Sequence, residues 1–185
     1  MRIRYTVPLV AVIITIIIGF IILDSSTENI VQGGDTTNVL FSDADEMEAY
    51  ADIVIEVVAT NDNTHVSRGE FDGHTLTKVE VLEVFKNNTG KDIGPYMAVA
   101  EPYYVSDRII GHDVITYGDY MPLEEDGNYI LFLSWAENIE GYWIVSLEQG
   151  QIKLGEDASD DEQTEFRSEQ YQNLIESVKE KYNKN

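Results

Sequence analysis

Glu125-Asp126-Gly127-Asn128-Tyr129-Ile130-Leu131-Phe132-Leu133 joins a turn sequence to five consecutive apolar residues. Asp, Gly and Asn are residues that turns favour. An apolar run without polar alternation is typical of a strand that is buried on both faces. The stretch therefore predicts a buried strand of a β-rich domain.

Further strands are predicted on both sides of this run. Residues 52–58 are dominated by β-branched side chains, and residues 74–86 form a long strand whose apolar phase slips at Val81-Leu82, which indicates a bulge. The polar residues 61–73 between them are predicted to be a loop. Three shorter strands are predicted at residues 96–100, 142–147 and 151–154. Short strands in meander order, without the spacing of βαβ units, predict an antiparallel barrel or sandwich.

The remaining segments are predicted to flank this domain. Residues 24–41 are polar and show no sustained period, so they are predicted to be a stalk. Ser42 is a suitable N-cap for a short helix that begins the domain of residues 42–154. Residues 155–185 are predicted to be an acidic connector followed by an amphipathic helix. The apolar face of that helix contains Phe166, Tyr171, Leu174, Ile175, Val178 and Tyr182.

The N-terminal residues predict a membrane anchor. Residues 5–23 carry no charge, and as a helix they span roughly 28 Å, which is close to the hydrocarbon thickness of a bilayer. Arg2 and Arg4 precede this run and all 34 acidic residues lie at or beyond Asp24, which predicts that residues 1–4 are cytoplasmic and that the C-terminal part is outside. A cleaved signal peptide is the alternative, but the run exceeds the usual signal core of about 7–15 residues. The expected location is the plasma membrane, with a single membrane pass.

Composition excludes several classes of function. The chain has 34 acidic and 12 basic residues and a net charge of −22, whereas a nucleic-acid-binding surface needs basic side chains against the phosphates. It contains no cysteine, which excludes disulfides, Cys-ligated zinc and thiol catalysis. His65, His74 and His112 do not have the spacing of a zinc site. No metal or cofactor is therefore expected.

Three blocks of the domain resemble a known fold. They are Ala51–Val58 (ADIVIEVV), Lys78–Lys86 (KVEVLEVFK) and Pro122–Leu133 (PLEEDGNYILFL). Together they resemble the OB-fold barrel of netrin-module and metalloproteinase-inhibitor-like domains, and small membrane-anchored exported proteins of Gram-positive bacteria of unknown function. The resemblance implies a mainly β fold, an antiparallel five-stranded OB-like barrel at residues 42–154 with flanking helices. The inhibitor-like domains act through an N-terminal cysteine, which this chain lacks, so inhibition of metalloproteinases is not implied.

The connection formed by residues 102–121 is the predicted functional segment. Long connections in small domains are often functional, and its aromatic rings with interspersed polar groups suit contacts with a sugar or a peptide. The predicted binding residues are Tyr103, Tyr104, Arg108, His112, Asp113, Tyr117 and Tyr120. The alternative is a hairpin that turns at Gly111-His112 and caps the barrel.

These observations predict a membrane-anchored, non-enzymatic binding domain on the outer face of a cell. Its expected partner, besides the membrane, is an envelope protein or polysaccharide. Two alternatives stay open: a structural subunit of a membrane complex, and an envelope-acting hydrolase that uses residues 102–121, where His112 and Asp113 lie near Ser106. The chain has no Gly-x-Ser-x-Gly nucleophile motif, which disfavours the hydrolase.

Overall fold

The computed structural model describes residues 28–32, 39–67, 72–107, 112–155 and 169–182, and this part of the chain is mainly β. Its strands are β1 Glu28–Gln32, β2 Ile53–Ser67, β3 Gly73–Asn87, β4 Tyr96–Glu101, β5 Tyr103–Asp107, β6 His112–Thr116, β7 Asn128–Ala136, β8 Gly141–Ile144 and β9 Gln151–Lys153. Its helices are α1 Ala44–Tyr50 and α2 Glu169–Tyr182, with a 3-10 helix at Leu147–Gly150. The strands predicted from the sequence are present, but the one predicted at residues 142–147 ends at Ile144, and Leu147 begins the 3-10 helix.

Five strands are hydrogen-bonded to one another in a closed circuit. β2 pairs with β3, β3 with β4, β8 with β7, and β7 with β2, all in antiparallel orientation. β4 and β8 complete the circuit through a short parallel pairing, in which Val99 and Ala100 lie opposite Tyr142 and Trp143. β9 pairs with the first half of β7. The circuit brings the turn between β7 and β8 close to the start of β2.

The five apolar residues of β7 divide between two cores. Tyr129, Leu131 and Leu133 pack in a first core with alternate residues of β2. Ile130 and Phe132 pack in a second core that also contains buried residues of α1 and α2. The strand is therefore buried on both faces, as the unbroken apolar run predicted.

Both predicted helices are confirmed, with one change at a helix end. The N-cap of α1 is Asp43 rather than Ser42, because Asp43 Oδ1 accepts a hydrogen bond from Glu46 N at 2.9 Å. Ser42 Oγ instead donates to Glu46 Oε2 at 2.8 Å. Phe166 lies outside the described residues. The residues of the apolar face of α2 that are buried in the second core are Tyr171, Leu174, Val178 and Tyr182.

The long pair β2 and β3 contains both a confirmed and a wrong prediction. Glu56 lies opposite Glu83 and Val57 lies opposite Val81, so Leu82 has no opposite residue and the predicted bulge is confirmed. The predicted loop is wrong for residues 61–67, because β2 continues to Ser67 and its end pairs with the start of β3, while residues 68–71 lie outside the described residues. Backbone pairing does not require apolar side chains, and most side chains at the end of β2 are exposed.

A second sheet changes the prediction for the N-terminal segment. β5 and β6 form an antiparallel hairpin within residues 102–121, but the predicted turn at Gly111-His112 is wrong, because His112 belongs to β6 and pairs with Asp107. β1 pairs with β6 in parallel, so residues 24–41 are not an unstructured stalk throughout. Local composition carries no sign of this strand, because its pairing partner is remote in sequence.

The predicted anchor, residues 5–23, lies outside the described residues. Within the described ranges, neither helix is long and apolar enough to cross a membrane.

Candidate functional site

Three of the four predicted binding tyrosines are buried. Tyr103, Tyr104 and Tyr120 are 7%, 0% and 1% exposed. The Tyr103 and Tyr120 rings stack with centroids 6.4 Å apart, and the Tyr104 ring lies 6.4 Å from that of half-buried Tyr117. A surface contact needs an accessible ring, so these three side chains pack the domain in this structure. A binding role for them stays a prediction.

The other predicted residues of this segment lie at the start of β6. His112 is half-buried and Asp113 is buried, while Arg108 lies outside the described residues. Ser106 lies opposite Asp113, and its neighbour Asp107 lies opposite His112. Neighbouring residues of a strand point to opposite faces of a sheet. The hairpin therefore does not direct Ser106 and His112 to the same face, as a hydrolase site would need.

The connection after β6 is joined to the sheet through a buried carboxylate. Glu101 is fully buried and accepts hydrogen bonds from Tyr120 Oη at 2.7 Å, from Leu123 N at 2.8 Å and from Thr77 Oγ1. Burial raises the pKa of Glu101, and the three hydrogen bonds limit the rise. Burial and the neighbouring Glu101 raise the pKa of Tyr103 to about 12. These bonds fasten the connection after β6 to the sheet.

Glu101→Gln is expected to change the pH dependence of the free energy of unfolding. The pKa of Glu101 is raised above its ordinary value of 4.5, so the folded state keeps this proton over a pH range in which the unfolded state has released it. The stabilising contribution is fully present below that ordinary value and is lost as the pH rises through the folded-state pKa. The loss is at most about 1.4 kcal/mol per pH unit in that window. Urea unfolding of both proteins at a series of pH values measures it.

Glu83→Gln is the control, because it removes one negative charge from an exposed position of β3. If the difference in unfolding free energy between the Glu101→Gln variant and the wild-type chain were independent of pH, the prediction would be contradicted.

An accessible cluster lies where β7, β8 and the loop after β3 meet. Asp52, Thr89, Lys91, Trp135 and Tyr142 line a surface pocket of about 300 Å³. Trp135 is 39% exposed, and its ring meets that of Tyr142 edge to face with centroids 5.2 Å apart. Lys91 Nζ lies 3.8 Å from the centroid of the Trp135 ring. We refer to these five residues as the Trp135 pocket.

Hydrogen bonds of the chain position the Trp135 pocket. Asp52 Oδ2 accepts from Trp135 N at 2.8 Å, and the carbonyl oxygen of Asp52 accepts from Asn88 N at 2.9 Å. At the end of β3, Asn87 Nδ2 donates to the carbonyl oxygen of Lys91 in the following loop at 2.7 Å. Asp52 thus joins the loop to β7, and the pocket is held in place without a ligand.

The Trp135 pocket offers binding groups. It contains two aromatic rings, an ammonium, a carboxylate and a hydroxyl, which supply stacking, ion pairing and hydrogen bonding. Among the described residues, Lys91 Nζ has no carboxylate within ion-pair distance, whereas Lys78 lies 3.4 Å from Asp62. The ammonium of Lys91 can therefore leave the Trp135 ring without breaking an ion pair to a described residue.

Sequence reasoning missed Trp135 and Lys91. Trp135 is on the same face of β7 as Leu131 and Leu133. The first core ends at Leu133, however, so the indole lies at the surface. An aromatic residue on the core-facing side of a strand, close to the turn that ends the strand, is a signal that could have indicated Trp135. Lys91 gave no such signal, because only the tertiary fold brings its loop to β7.

Comparison with known proteins adds no assignment to this geometry. No family model matches the chain, and no curated protein matches it. The candidate site therefore rests on the contacts of the Trp135 pocket alone.

Proposed function

We propose that the chain is a membrane-anchored, non-enzymatic binding domain on the outer face of the plasma membrane, with the Trp135 pocket as its binding site. The observation that carries the proposal is the exposed indole of Trp135, edge to face with Tyr142 and 3.8 Å from the ammonium of Lys91. Tryptophan and tyrosine supply much of the affinity of protein interfaces, because they bury a large rigid surface at a small entropic cost.

The proposed scaffold is a five-stranded OB-like barrel. The closed circuit of β2, β3, β4, β8 and β7 supports it, including the parallel pairing of β4 and β8. OB folds bind ligands on one strand face and at the loops after the first and fourth barrel strands. In this circuit the fourth strand is β7, and the turn after it is flanked by Trp135 and Tyr142. The analogy supports the place of the site and does not identify its ligand.

The proposed location follows from the charge pattern of the N-terminal segment. Arg2 and Arg4 precede the apolar residues 5–23, and the part beyond them holds every acidic residue of the chain. A domain held at the membrane in this way has envelope proteins and wall polysaccharides as its available partners. We therefore propose a partner from these two classes.

Trp135→Ala is expected to weaken binding to envelope material at least tenfold, because an exposed interface tryptophan typically contributes about 2 kcal/mol or more. The full-length chain in detergent is tested separately against solubilised envelope proteins and against wall polysaccharide from the producing cells. The melting temperature of the Trp135→Ala variant should change little, since the indole lies outside both cores.

Tyr96→Ala provides a matched control. Tyr96 is 51% exposed and carries Lys78 Nζ at 5.0 Å from its ring centroid, so it is a second surface aromatic residue under a lysine. Equal binding by the Trp135→Ala and Tyr96→Ala variants would place the binding site elsewhere.

A further inference from the structure

The indole of Trp135 already holds an ammonium. Lys91 Nζ lies 3.8 Å above the ring, a distance at which the negative face of the ring attracts a cation. The comparable pair, Lys78 over Tyr96, is longer at 5.0 Å, and Lys78 also has Asp62 as a partner. Within the described residues, Lys91 has no such ion pair, so another cation could replace it on the ring without breaking one.

The charges around the Trp135 pocket are mainly negative. Asp52 lines the pocket, Asp92 follows Lys91 in the chain, and the exposed Glu137 and Glu140 lie in the turn that joins Trp135 to Tyr142. Lys91 is the one cation among the five residues of the pocket. The whole chain carries −22, and a field of one sign raises the local concentration of ligands of the opposite sign.

We propose that the Trp135 pocket binds a lysine side chain from a basic segment of a partner protein. The incoming ammonium displaces Lys91 from the Trp135 ring and has the Asp52 carboxylate as its counter-charge. A pocket of about 300 Å³ is at the small end of ligand sites and suits a single side chain. Neighbouring basic residues of the same segment meet the surrounding carboxylates. This inference names the ligand class of the proposed function and rests on it.

The proposal gives Lys91 the role of an internal competitor. Removing its ammonium frees the ring and removes a like charge from the pocket, so a cationic ligand should bind more tightly. A cation over an exposed aromatic ring typically contributes enough to change affinity about two- to fivefold. An anionic ligand should bind less tightly after this change, because it would lose the ammonium of Lys91 as its counter-charge.

The test uses the full-length chain with Trp143→Phe, which leaves Trp135 as the single tryptophan. Pentalysine is titrated at low salt while the fluorescence of Trp135 is recorded, with pentaglutamate and an oligomer of glucosamine as comparison ligands. We expect a saturable change with pentalysine, and an affinity about two- to fivefold higher in the Lys91→Met variant. Lys78→Met is the matched control, because it makes the same change in net charge beside another aromatic ring.

Four outcomes would overturn the inference. The first two are an affinity for pentalysine that is lower in Lys91→Met than in the wild-type chain, and an affinity that is the same in Lys91→Met and Lys78→Met. The other two are tighter binding of pentaglutamate than of pentalysine, and tighter binding of the glucosamine oligomer than of pentalysine. The last of these would indicate an amino glycan as the ligand. The proposed function is tested separately by Trp135→Ala with envelope material. If Trp135→Ala abolishes that binding and Lys91→Met weakens it, only the ligand class is wrong.

Discussion

Tyr120→Ala is expected to lower the free energy of unfolding by about 3–5 kcal/mol, as truncation of a large buried side chain does. The Tyr120 ring is 1% exposed, stacks on Tyr103 and belongs to the first core. Its hydroxyl donates to Glu101, so the variant also leaves a buried carboxylate with one donor fewer. Urea or thermal unfolding of the full-length chain measures the loss.

Two further variants separate the contributions of Tyr120. Tyr120→Phe keeps the ring and removes only the hydroxyl, for an expected loss of about 1–3 kcal/mol. Tyr96→Ala truncates an exposed tyrosine and should change the stability by no more than about 0.5 kcal/mol. If Tyr120→Ala left the stability unchanged and weakened binding, the tyrosines of residues 102–121 would be the binding surface, as the sequence predicted.

Phe132→Ala is expected to cost about 3–5 kcal/mol through the second core. Phe132 is fully buried, and its ring lies 5.9 Å from that of Tyr182 on α2, which in turn lies 4.8 Å from Phe85. The variant therefore leaves a cavity between the sheet and α2. Chemical denaturation measures the loss, and the NMR signals of the Tyr182 ring report the change beside it.

Leu131→Ala is the comparison for Phe132→Ala, because the adjacent residue of β7 packs in the first core. It should also destabilise the domain, by about 2–5 kcal/mol, but without changing the signals of the Tyr182 ring. If Leu131→Ala and Phe132→Ala had the same effect on those signals, the assignment of two separate cores would be wrong.

The buried elements could be predicted from the sequence because burial leaves a pattern. The unbroken apolar run of β7 and the β-branched start of β2 each reflect a buried contact in their residue types, and the phase slip at Leu82 reflects a bulge. The apolar face of α2 is another such record. These are the places where local preference and tertiary packing agree.

The elements that the sequence did not predict are held by backbone pairing with other strands. The end of β2 is polar and mostly exposed, and its strand conformation comes from its ladder with β3. β1 is paired with β6, which lies far along the chain. A pattern of side chains cannot record a backbone hydrogen bond, because every residue except proline carries the same donor and acceptor.

The Trp135 pocket was missed for a related reason. Its members come from the residue before β2, the loop after β3, and the strands β7 and β8, and each alone resembles an ordinary surface residue. The tyrosines of residues 102–121 were singled out because they are clustered in sequence, yet clustering in sequence does not establish exposure. The structure places three of them among buried residues.

The burial of Tyr129–Leu133 on both faces of β7 has a consequence for the chain before it folds. Tyr129–Leu133 is a short, uncharged, apolar window without proline, the kind of segment through which unfolded chains associate into aggregates. Glu124, Glu125 and Asp126 stand directly before it, and all three are exposed in the folded domain. Negative charges next to such a window repel a second copy of the same segment. Part of the acidity of this chain therefore acts in the unfolded state, where it keeps the central strand from pairing with other molecules.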